Sequence, residues 1–255
     1  MQIAIASDLH IDYRSDPVDW PEADILVLAG DTANTIDLAI PLVCEAASVY
    51  KDVVLVDGNH EHWRNNRKRI TVDENLEQYA MQLPDNVHLL RRGHHSVMVQ
   101  GVKFIGLNGW YTADYVGDPD NNRNYWKSEW SDSLFSGFIP ISQHYPWTRA
   151  AEDAAIIQGE IDQINDAMFP VVVVTHTVPH RDCVRQGAEW SFSNNFFVNS
   201  HMRDIIEGDK SRYITMWIFG HTHDRMTKRI NDVDLVANPR GENQNWSVVT
   251  WPIIM

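Results

Sequence analysis

The sequence predicts an α/β fold in which strands and helices form packed layers. Five short apolar runs end abruptly at polar residues, as expected for central strands that are buried on both faces. Segments with apolar residues at helical spacing lie between these runs, so strands and helices alternate along the chain. The chain has 255 residues, of which 44% are hydrophobic, which is enough for one large domain with a buried core. We therefore expect a single domain over residues 1–255.

The apolar runs and the helical patterns locate the main elements. The predicted strands are Gln2–Ser7, Ala23–Ala29, Asp52–Val56, Pro170–Val174 and Tyr213–Phe219. The predicted helices are Ile36–Tyr50 with Asn34 or Thr35 as its N-cap, Val72–Leu83 and Arg149–Met168. Residues 86–107 indicate short strands at Val87–Leu90, His95–Gln100 and Val102–Leu107, and residues 226–250 indicate hairpins. The sheets should therefore be mixed, and we expect two of them to form a sandwich with helices outside.

Two irregular stretches, at about 110–148 and 178–200, interrupt this pattern. Long irregular segments inside a compact domain are often functional. The first stretch is rich in aromatic residues, among them Trp110, Tyr111, Tyr115, Tyr125, Trp126 and Trp130. These side chains either form a small core within the insert or line a site where they could stack on a nucleobase. The sequence alone leaves both interpretations open.

Composition narrows the class of protein. The formal net charge of −14 argues against a protein that coats duplex nucleic acid, because no basic excess is present to neutralise phosphates. The only cysteines, Cys44 and Cys183, are far apart in sequence and predict neither a disulfide framework nor a zinc-type cysteine cluster. Residues 1–8 do not match a signal peptide, and no apolar run approaches the ~20 residues of a membrane span. We expect a cytoplasmic protein that does not contact the membrane.

Polar clusters follow the apolar runs at the point where each run ends. In chain order they are Asp8-Leu9-His10, Gly30-Asp31, Gly58-Asn59-His60-Glu61, His176 and Gly220-His221-Thr222-His223. Ligands of open α/β sheets bind at the carboxyl ends of the strands, where these clusters fall. Their oxygen and nitrogen donors, without sulfur, suit Mn²⁺, Fe, Zn²⁺, Co²⁺ or Ni²⁺. In an extended chain residues i and i+2 point the same way, so Asp8 and His10 should reach the same ion.

The five clusters, in this order, resemble the signature of the calcineurin-like metallophosphoesterases, which is D-x-H, G-D, G-N-H-[ED], H and G-H-x-H. The resemblance spans residues 8–223. It implies a metallophosphoesterase-type β-sandwich of mixed sheets flanked by helices, here with an aromatic-rich insert. It also implies a centre of two divalent metal ions, with manganese favoured over iron, zinc, nickel or cobalt.

The resemblance assigns a role to each motif residue. The first metal would be held by Asp8, His10, Asp31 and His223, and the second by Asp31, Asn59, His176 and His221. Asp31 would bridge the two ions. His60 would not be a ligand but a proton donor or charge stabiliser near the leaving group. Glu61 would lie behind the ligands and hydrogen-bond to them, for example by orienting a ligand imidazole.

The function implied by the resemblance is hydrolysis of a phosphate mono- or diester by attack of metal-bound hydroxide. The second motif continues as Thr32-Ala33-Asn34 without the arginine of protein phosphatases, and the chain is short and acidic, so we favour a small, nucleotide-like phosphorylated substrate. His180 and Arg181 are the candidate substrate contacts. The alternatives are a nuclease or end-processing enzyme that binds single-stranded nucleic acid, and an inactive scaffold. The sequence does not indicate an oligomeric state.

Overall fold

The computed structural model describes residues 1–13, 16–63, 70–135, 145–165, 168–185, 187–241 and 246–253. Its strands form two sheets, and the buried side chains form three clusters, one between the sheets and one on the outer face of each sheet. Helices cover the outer faces. The predicted sandwich of mixed sheets flanked by helices is therefore confirmed.

The first sheet has the strand order β11-β1-β2-β3-β4. Its strands are β1 (Gln2–Ala6), β2 (Ile25–Ala29), β3 (Asp52–Val56), β4 (Val87–Leu89) and β11 (Val249–Pro252). Strands β1 to β4 run parallel, and β11 is antiparallel to β1 at the edge. The parallel strands consequently deliver the residues that follow them to the same edge of the sheet.

The second sheet has the order β5-β6-β7-β8-β10-β9. Its strands are β5 (Ser96–Val99), β6 (Val102–Gly106), β7 (Val171–Val174), β8 (Met216–Phe219), β9 (Met226–Ile230) and β10 (Val233–Ala237). The central strands β6, β7, β8 and β10 are parallel, whereas β5 and β9 add antiparallel edges. The predicted hairpin after residue 226 is thus formed by β9 and β10. The prediction was wrong for β11, which joins the other sheet instead.

Helices cover the outer faces of the sandwich. They are α1 (Ile36–Val49), α2 (Val72–Ala80), α3 (Pro119–Glu129), α4 (Ser131–Phe135), α5 (Pro146–Asp162) and α6 (Arg203–Glu207). Residues of α1 and α2 pack in the cluster outside the first sheet, and residues of α5 and α6 in the cluster outside the second. Of the two predicted N-caps of α1, Thr35 has the role, because its side chain accepts a hydrogen bond from Leu38 N.

Strand alternation separates the layers. In β1, Ile3 and Ile5 belong to the cluster between the sheets, whereas Ala4 and Ala6 belong to the cluster under α1. This follows from the two-residue period of a strand, which sends successive side chains to opposite faces. Every residue from Ile3 to Ala6 is fully buried, which explains why the run is apolar throughout.

Several element boundaries differ from the prediction; for example, α2 ends at Ala80 rather than Leu83, and α5 ends at Asp162 rather than Met168. β8 begins at Met216 rather than Tyr213, because residues Asp209–Tyr213 form a 3-10 helix. Helix α5 begins at Pro146, three residues earlier than predicted, since proline fits the first turn of a helix, where no N–H donor is needed. Part of the predicted C-terminal end of α5, residues 166 and 167, lies outside the described residues.

The aromatic insert joins the main core. Trp110, Tyr111 and Trp126 are at most 2% exposed and belong to the cluster that also contains residues of α1 and the first sheet. These aromatics are therefore packed in the interior of the domain and do not offer a face to a ligand. Residues 136–144 of the insert lie outside the described residues. In the part of the chain that is described, no helix has the length and apolar character to cross a membrane.

Candidate metal centre

The polar clusters meet at the edge where the parallel strands of both sheets end. Asp8 follows β1, Asp31 follows β2 and Asn59 follows β3. From the second sheet, His176 follows β7, and His221 and His223 follow β8. The two sheets therefore supply the site from opposite sides.

The predicted ligands form two groups that share one carboxylate. The first consists of Asp8, His10, Asp31 and His223, and the second of Asp31, His176 and His221. Within each group the potential ligand atoms lie within 4.8 Å of one another. Asn59 joins the second group, because its Oδ1 is 3.0 Å from His176 Nε2. The fold thus brings together all the predicted ligands, in the grouping that the motifs imply.

The imidazoles of the second group present lone pairs to its centre. His176 Nδ1 is 2.9 Å from the carbonyl oxygen of Ala29, and His221 Nε2 is 2.8 Å from that of Phe196. A carbonyl oxygen only accepts, so these ring nitrogens carry the protons. When both rings are neutral, His176 Nε2 and His221 Nδ1, which lie 3.0 Å apart, are the nitrogens with lone pairs that a cation could bind.

Acceptor atoms also converge around Asp31. Its Oδ1 accepts a hydrogen bond from His60 N–H at 2.9 Å, whereas its buried Oδ2 has only imidazole nitrogens as polar neighbours. This Oδ2 lies 3.2 Å from His176 Nε2 and 3.9 Å from His10 Nε2. In the first group, His10 Nε2 and His223 Nε2 are 3.0 Å apart. A buried carboxylate oxygen whose polar neighbours are imidazole nitrogens fits a ligand of divalent cations.

Burial and the nearby carboxylate set the pKa values of the histidines in the two groups. Burial lowers the pKa of His10 to about 4 and that of His221 to about 3. Burial would also lower the pKa of His176, but the Asp31 carboxylate outweighs it and raises the value to about 10. In turn, His176 outweighs the effect of burial on Asp31 and holds the pKa of that carboxyl well below its usual range. One imidazolium therefore stands where the ligand set would bind positive ions.

The backbone at these positions corrects the sequence prediction of extended ligand segments. Asp8, His10, Asp31, His221 and His223 all have positive φ, with values of 51°, 43°, 52°, 74° and 55°. Non-glycine residues rarely adopt this left-handed conformation, which costs of order 1 kcal/mol or more per residue. Asp8 and His10 therefore reach the first group through a tight turn and not along a strand. His221 and His223 are divided between the two groups, as predicted.

Glycines before the ligands leave room for the convergence. Gly30 has φ of +81°, and a Cβ at this position would lie 2.5 Å from His176 Nδ1. A Cβ at Gly220 would lie 2.5 Å from Asp8 Oδ2 and 2.8 Å from the side chain of Ser7. Real Cβ atoms essentially never come closer than 3.0 Å to such atoms. The glycines of the motifs are thus required because ligand side chains occupy the space of their missing Cβ atoms.

Glu61 holds the loops that carry the ligands. Its carboxyl group accepts hydrogen bonds from the backbone N–H groups of Gly58, Asp31, Thr32 and Ala33 at 2.7, 3.0, 2.6 and 3.3 Å. Its partners are backbone amides and not the ligand imidazole suggested by the sequence. Burial and the nearby Asp31 carboxylate raise the pKa of Glu61 to about 8 in the metal-free chain.

His60 lies beside the cluster with access to solvent. Its side chain is 15% exposed, and its Nε2 is 3.8 Å from Asp31 Oδ2. Its Nδ1 is 2.6 Å from Asn34 Oδ1, so Nδ1 donates and Nε2 faces the metal groups. Trp63 stacks on the imidazole at 3.6 Å between ring centroids. Sequence analysis missed these two supports of His60: Asn34 was considered only as a helix cap, and Trp63 lies just beyond the motif.

His180 and Arg181 lie outside the ligand groups. His180 is 4% exposed; its Nε2 is 3.1 Å from Glu207 Oε1, and its Nδ1 accepts a hydrogen bond from Asp182 N. Both ring nitrogens are thus engaged within the protein. Arg181 is exposed, lies 5.3 Å above the ring of Tyr115, and lines two surface cavities of about 350 and 500 Å³. Substrate contact by either residue stays a prediction.

Comparison with known proteins decides the family. The profile of the calcineurin-like phosphoesterases matches residues 1–225. The chain belongs to this family. Membership implies a metal-dependent hydrolase that acts on phosphate esters, in agreement with the ligand groups described above.

Two further similarities extend over most of the phosphoesterase chain. Uncharacterized protein L509 of Acanthamoeba polyphaga mimivirus is 21% identical over 249 residues, which cover 90% of this chain and 81% of that protein. The crystal structure of phosphopantetheinyl hydrolase (PptH) from Mycobacterium tuberculosis matches with a TM-score of 0.75 and 18% identity. That match covers 97% of this chain and 95% of the hydrolase. At this identity the likeness shows the fold.

Proposed function

We propose that this phosphoesterase uses two divalent metal ions to hydrolyse a small phosphorylated substrate, with nucleotide-like esters as the first class to test. The observation that carries the proposal is the position of Asp31 Oδ2. This oxygen is buried, has only the imidazole nitrogens of the site as its polar neighbours, and belongs to both ligand groups. A carboxylate so placed supports a shared ligand between two cations.

The charge of the ligand set suits an anionic substrate. Two divalent ions bring four positive charges, and the ligand groups contain two carboxylates, Asp8 and Asp31. The remaining ligands are neutral imidazoles and the amide of Asn59, so a double positive charge would remain for a phosphate ester. When bound, such ions lower the pKa of coordinated water to about 7 and stabilise the charge that develops on phosphate oxygens.

His60 is placed to deliver a proton to the leaving group. Asn34 holds its Nδ1, Trp63 supports its ring, and Nε2 faces the metal groups from the solvent side. A positioned histidine typically contributes a factor of about 10² to 10⁴ to a proton transfer. In its doubly protonated form, His60 would donate the Nε2 proton to the ester oxygen as the bond to phosphorus breaks and would keep the Nδ1 proton directed at Asn34.

The charge and packing of the chain favour a small substrate. A net charge of −14 opposes the approach of a polyanion, unless a local basic surface compensates for it. The buried insert aromatics Trp110, Tyr111 and Trp126 cannot stack on bases. Trp63 is partly exposed and lies against His60, so it is one aromatic ring that a nucleobase or another flat leaving group could meet.

The test is hydrolysis of p-nitrophenyl phosphate and bis-p-nitrophenyl phosphate by metal-stripped protein with added Mn²⁺, Ni²⁺, Zn²⁺ or Mg²⁺. We expect metal-dependent turnover that Asp31→Asn abolishes together with metal binding. His60→Ala should keep the metals but lose about 10² to 10⁴ in turnover. The matched control is His94→Ala. It also removes an imidazole, but His94 is exposed and belongs to none of the five motifs.

The ratio of monoester to diester turnover then selects the next substrates. Nucleoside monophosphates, cyclic nucleotides and a phosphopantetheine ester form the panel of small substrates, the last because of the shared fold. A single-stranded oligonucleotide tests the nuclease alternative. Absence of both turnover and bound metal would refute the proposal, and bound metal with no turnover on any substrate would favour a scaffold.

A further inference from the structure

A buried carboxylate in the aromatic insert accepts a hydrogen bond from Asn59, one of the candidate metal ligands. Asp132 lies in the short helix α4 and is 1% exposed. Its Oδ1 accepts hydrogen bonds from Asn59 Nδ2 and from Trp63 Nε1, each at 2.8 Å. Its Oδ2 accepts a hydrogen bond from the Tyr111 hydroxyl at 2.7 Å. Three donors thus compensate the buried charge, which would otherwise be costly.

The contact with Asn59 decides which end of its amide faces the metals. The amide has an acceptor oxygen and a donor nitrogen, and only the oxygen can bind a cation. Because Nδ2 donates to Asp132, Oδ1 is directed to the opposite side, where it lies 3.0 Å from His176 Nε2. A flipped amide would set a carbonyl oxygen against the Asp132 carboxylate and direct N–H groups at the cations.

We propose that Asp132 is a positioning residue that holds the Asn59 oxygen toward the second metal and, through Trp63, steadies the His60 ring. The second role follows from the shared Oδ1, since Trp63 stacks on His60 at 3.6 Å while its Nε1 is bound to the same oxygen. One carboxylate thereby couples a metal ligand to the proposed proton donor. This inference rests on the proposed two-metal function.

The other side of Asp132 is anchored in the core. Tyr111, which donates to Oδ2, is fully buried and accepts a hydrogen bond from Trp126 Nε1 at 2.5 Å. Burial and the Asp132 carboxylate raise the pKa of Tyr111 well above its usual value, so its hydroxyl remains a donor. The insert therefore supports the centre through a hydrogen-bond chain from Trp126 and Tyr111 to Asp132.

The inference is tested by metal titration of the whole, metal-stripped chain with Mn²⁺, by calorimetry and by metal content after dialysis. The wild type should bind two ions. Asp132→Ala should weaken the ion at Asn59, His176 and His221 by about 10- to 100-fold and leave the other ion unchanged. The comparison variant is Tyr111→Phe, which removes a hydrogen bond from the same carboxylate but leaves the Asn59 contact, so it should weaken that ion less than Asp132→Ala does.

Exchanging the two side chains, by combining Asn59→Asp with Asp132→Asn, gives a test that does not depend on the folding of Asp132→Ala. Asn59→Asp adds a negative ligand, which by itself should tighten metal binding, but it also sets two carboxylates at 2.8 Å. We expect Asn59→Asp to bind the second ion more weakly than the wild type. Adding Asp132→Asn should restore the affinity to within about tenfold, because the new amide donates to the new carboxylate.

Three results would overturn the inference. The first is that Asp132→Ala binds both ions with wild-type affinity, and the second is that this variant weakens both ions equally. The third is that Asn59→Asp changes metal affinity by the same factor whether residue 132 is Asp or Asn. A wild-type chain that binds no metal would refute the proposed function itself. If the wild type binds two ions and Asp132→Ala binds both with the same affinity, only the role of Asp132 would be refuted.

Discussion

The glycine before the last motif provides a sharp test of the packing of the centre. In Gly220→Ala the new Cβ would lie 2.5 Å from Asp8 Oδ2 and 2.8 Å from both Cβ and Oγ of Ser7. Gly220 does not have positive φ, so the substitution perturbs through contact and not through backbone conformation. Reaching the 3.0 Å that real Cβ atoms keep requires a shift of about 0.5 Å, and both neighbours are buried.

A shift of this size exceeds the tolerance of metal coordination, which is about 0.2 Å. We expect Gly220→Ala to lower metal-dependent turnover at least about tenfold and to weaken the ion held by Asp8. Overpacking of a buried site should also reduce the free energy of unfolding by about 1–3 kcal/mol. Phosphatase assays, Mn²⁺ titration and urea denaturation of the metal-free chain measure the three effects separately.

The matched control is another glycine-to-alanine change. Gly159 lies in α5, and a Cβ there meets no atom within 4 Å. Gly159→Ala should stabilise the protein by about 0.5–1 kcal/mol, because alanine loses less conformational entropy in a helix, and should leave activity unchanged. If Gly220→Ala kept wild-type turnover and metal affinity, the inferred conflict with Asp8 would be refuted.

Two further predictions concern histidines of the centre. The pKa of His10 is about 4 in the folded, metal-free chain and about 6.5 when unfolded, a difference of about 3 kcal/mol. This stability is present above pH 6.5 and is lost as the pH falls through 4. Urea denaturation in the presence of a chelator should therefore show that acid lowers the free energy of unfolding less in His10→Gln than in the wild type. Equal decreases in the two proteins would contradict the reasoning. Asn34→Leu should lower kcat about tenfold with little change in KM, because it removes the oxygen that orients His60 at Nδ1. Asn34→Asp keeps that acceptor and should keep most of the activity; equal kcat in Asn34→Leu and wild type would exclude the orienting role.

The frame of the site could be predicted from local patterns. Strands buried on both faces leave no polar positions, so an apolar run that stops at Asp8, Asp31 or Asn59 marks both a strand and its end. Because parallel strands end at one edge, the sequence also indicated that these residues meet. The family resemblance implied the two ligand groups, and the structure places His221 and His223 in different groups.

The remaining features depend on contacts between distant segments. Asp132 meets Asn59 across 73 residues of sequence and Trp63 across 69, and the insert around it has no periodicity that would locate it. The left-handed conformations of Asp8 and His10 were also unpredictable, because nothing in these residue types requires them. Strand β11 pairs with β1 across the whole chain, which a local hairpin pattern cannot reveal.

The strained ligand loops are stabilised by the ligands themselves. Asp8 accepts hydrogen bonds from His221 N–H with both carboxylate oxygens, and Asp31 Oδ1 accepts one from His60 N–H. Each carboxylate therefore faces the metal groups and at the same time fixes the backbone of another motif. Loss of Asp8 would remove a member of the first ligand group and release the loop that carries His221, a member of the second. If both groups bind metal as proposed, substitutions at Asp8 and His221 should be strongly non-additive in metal affinity.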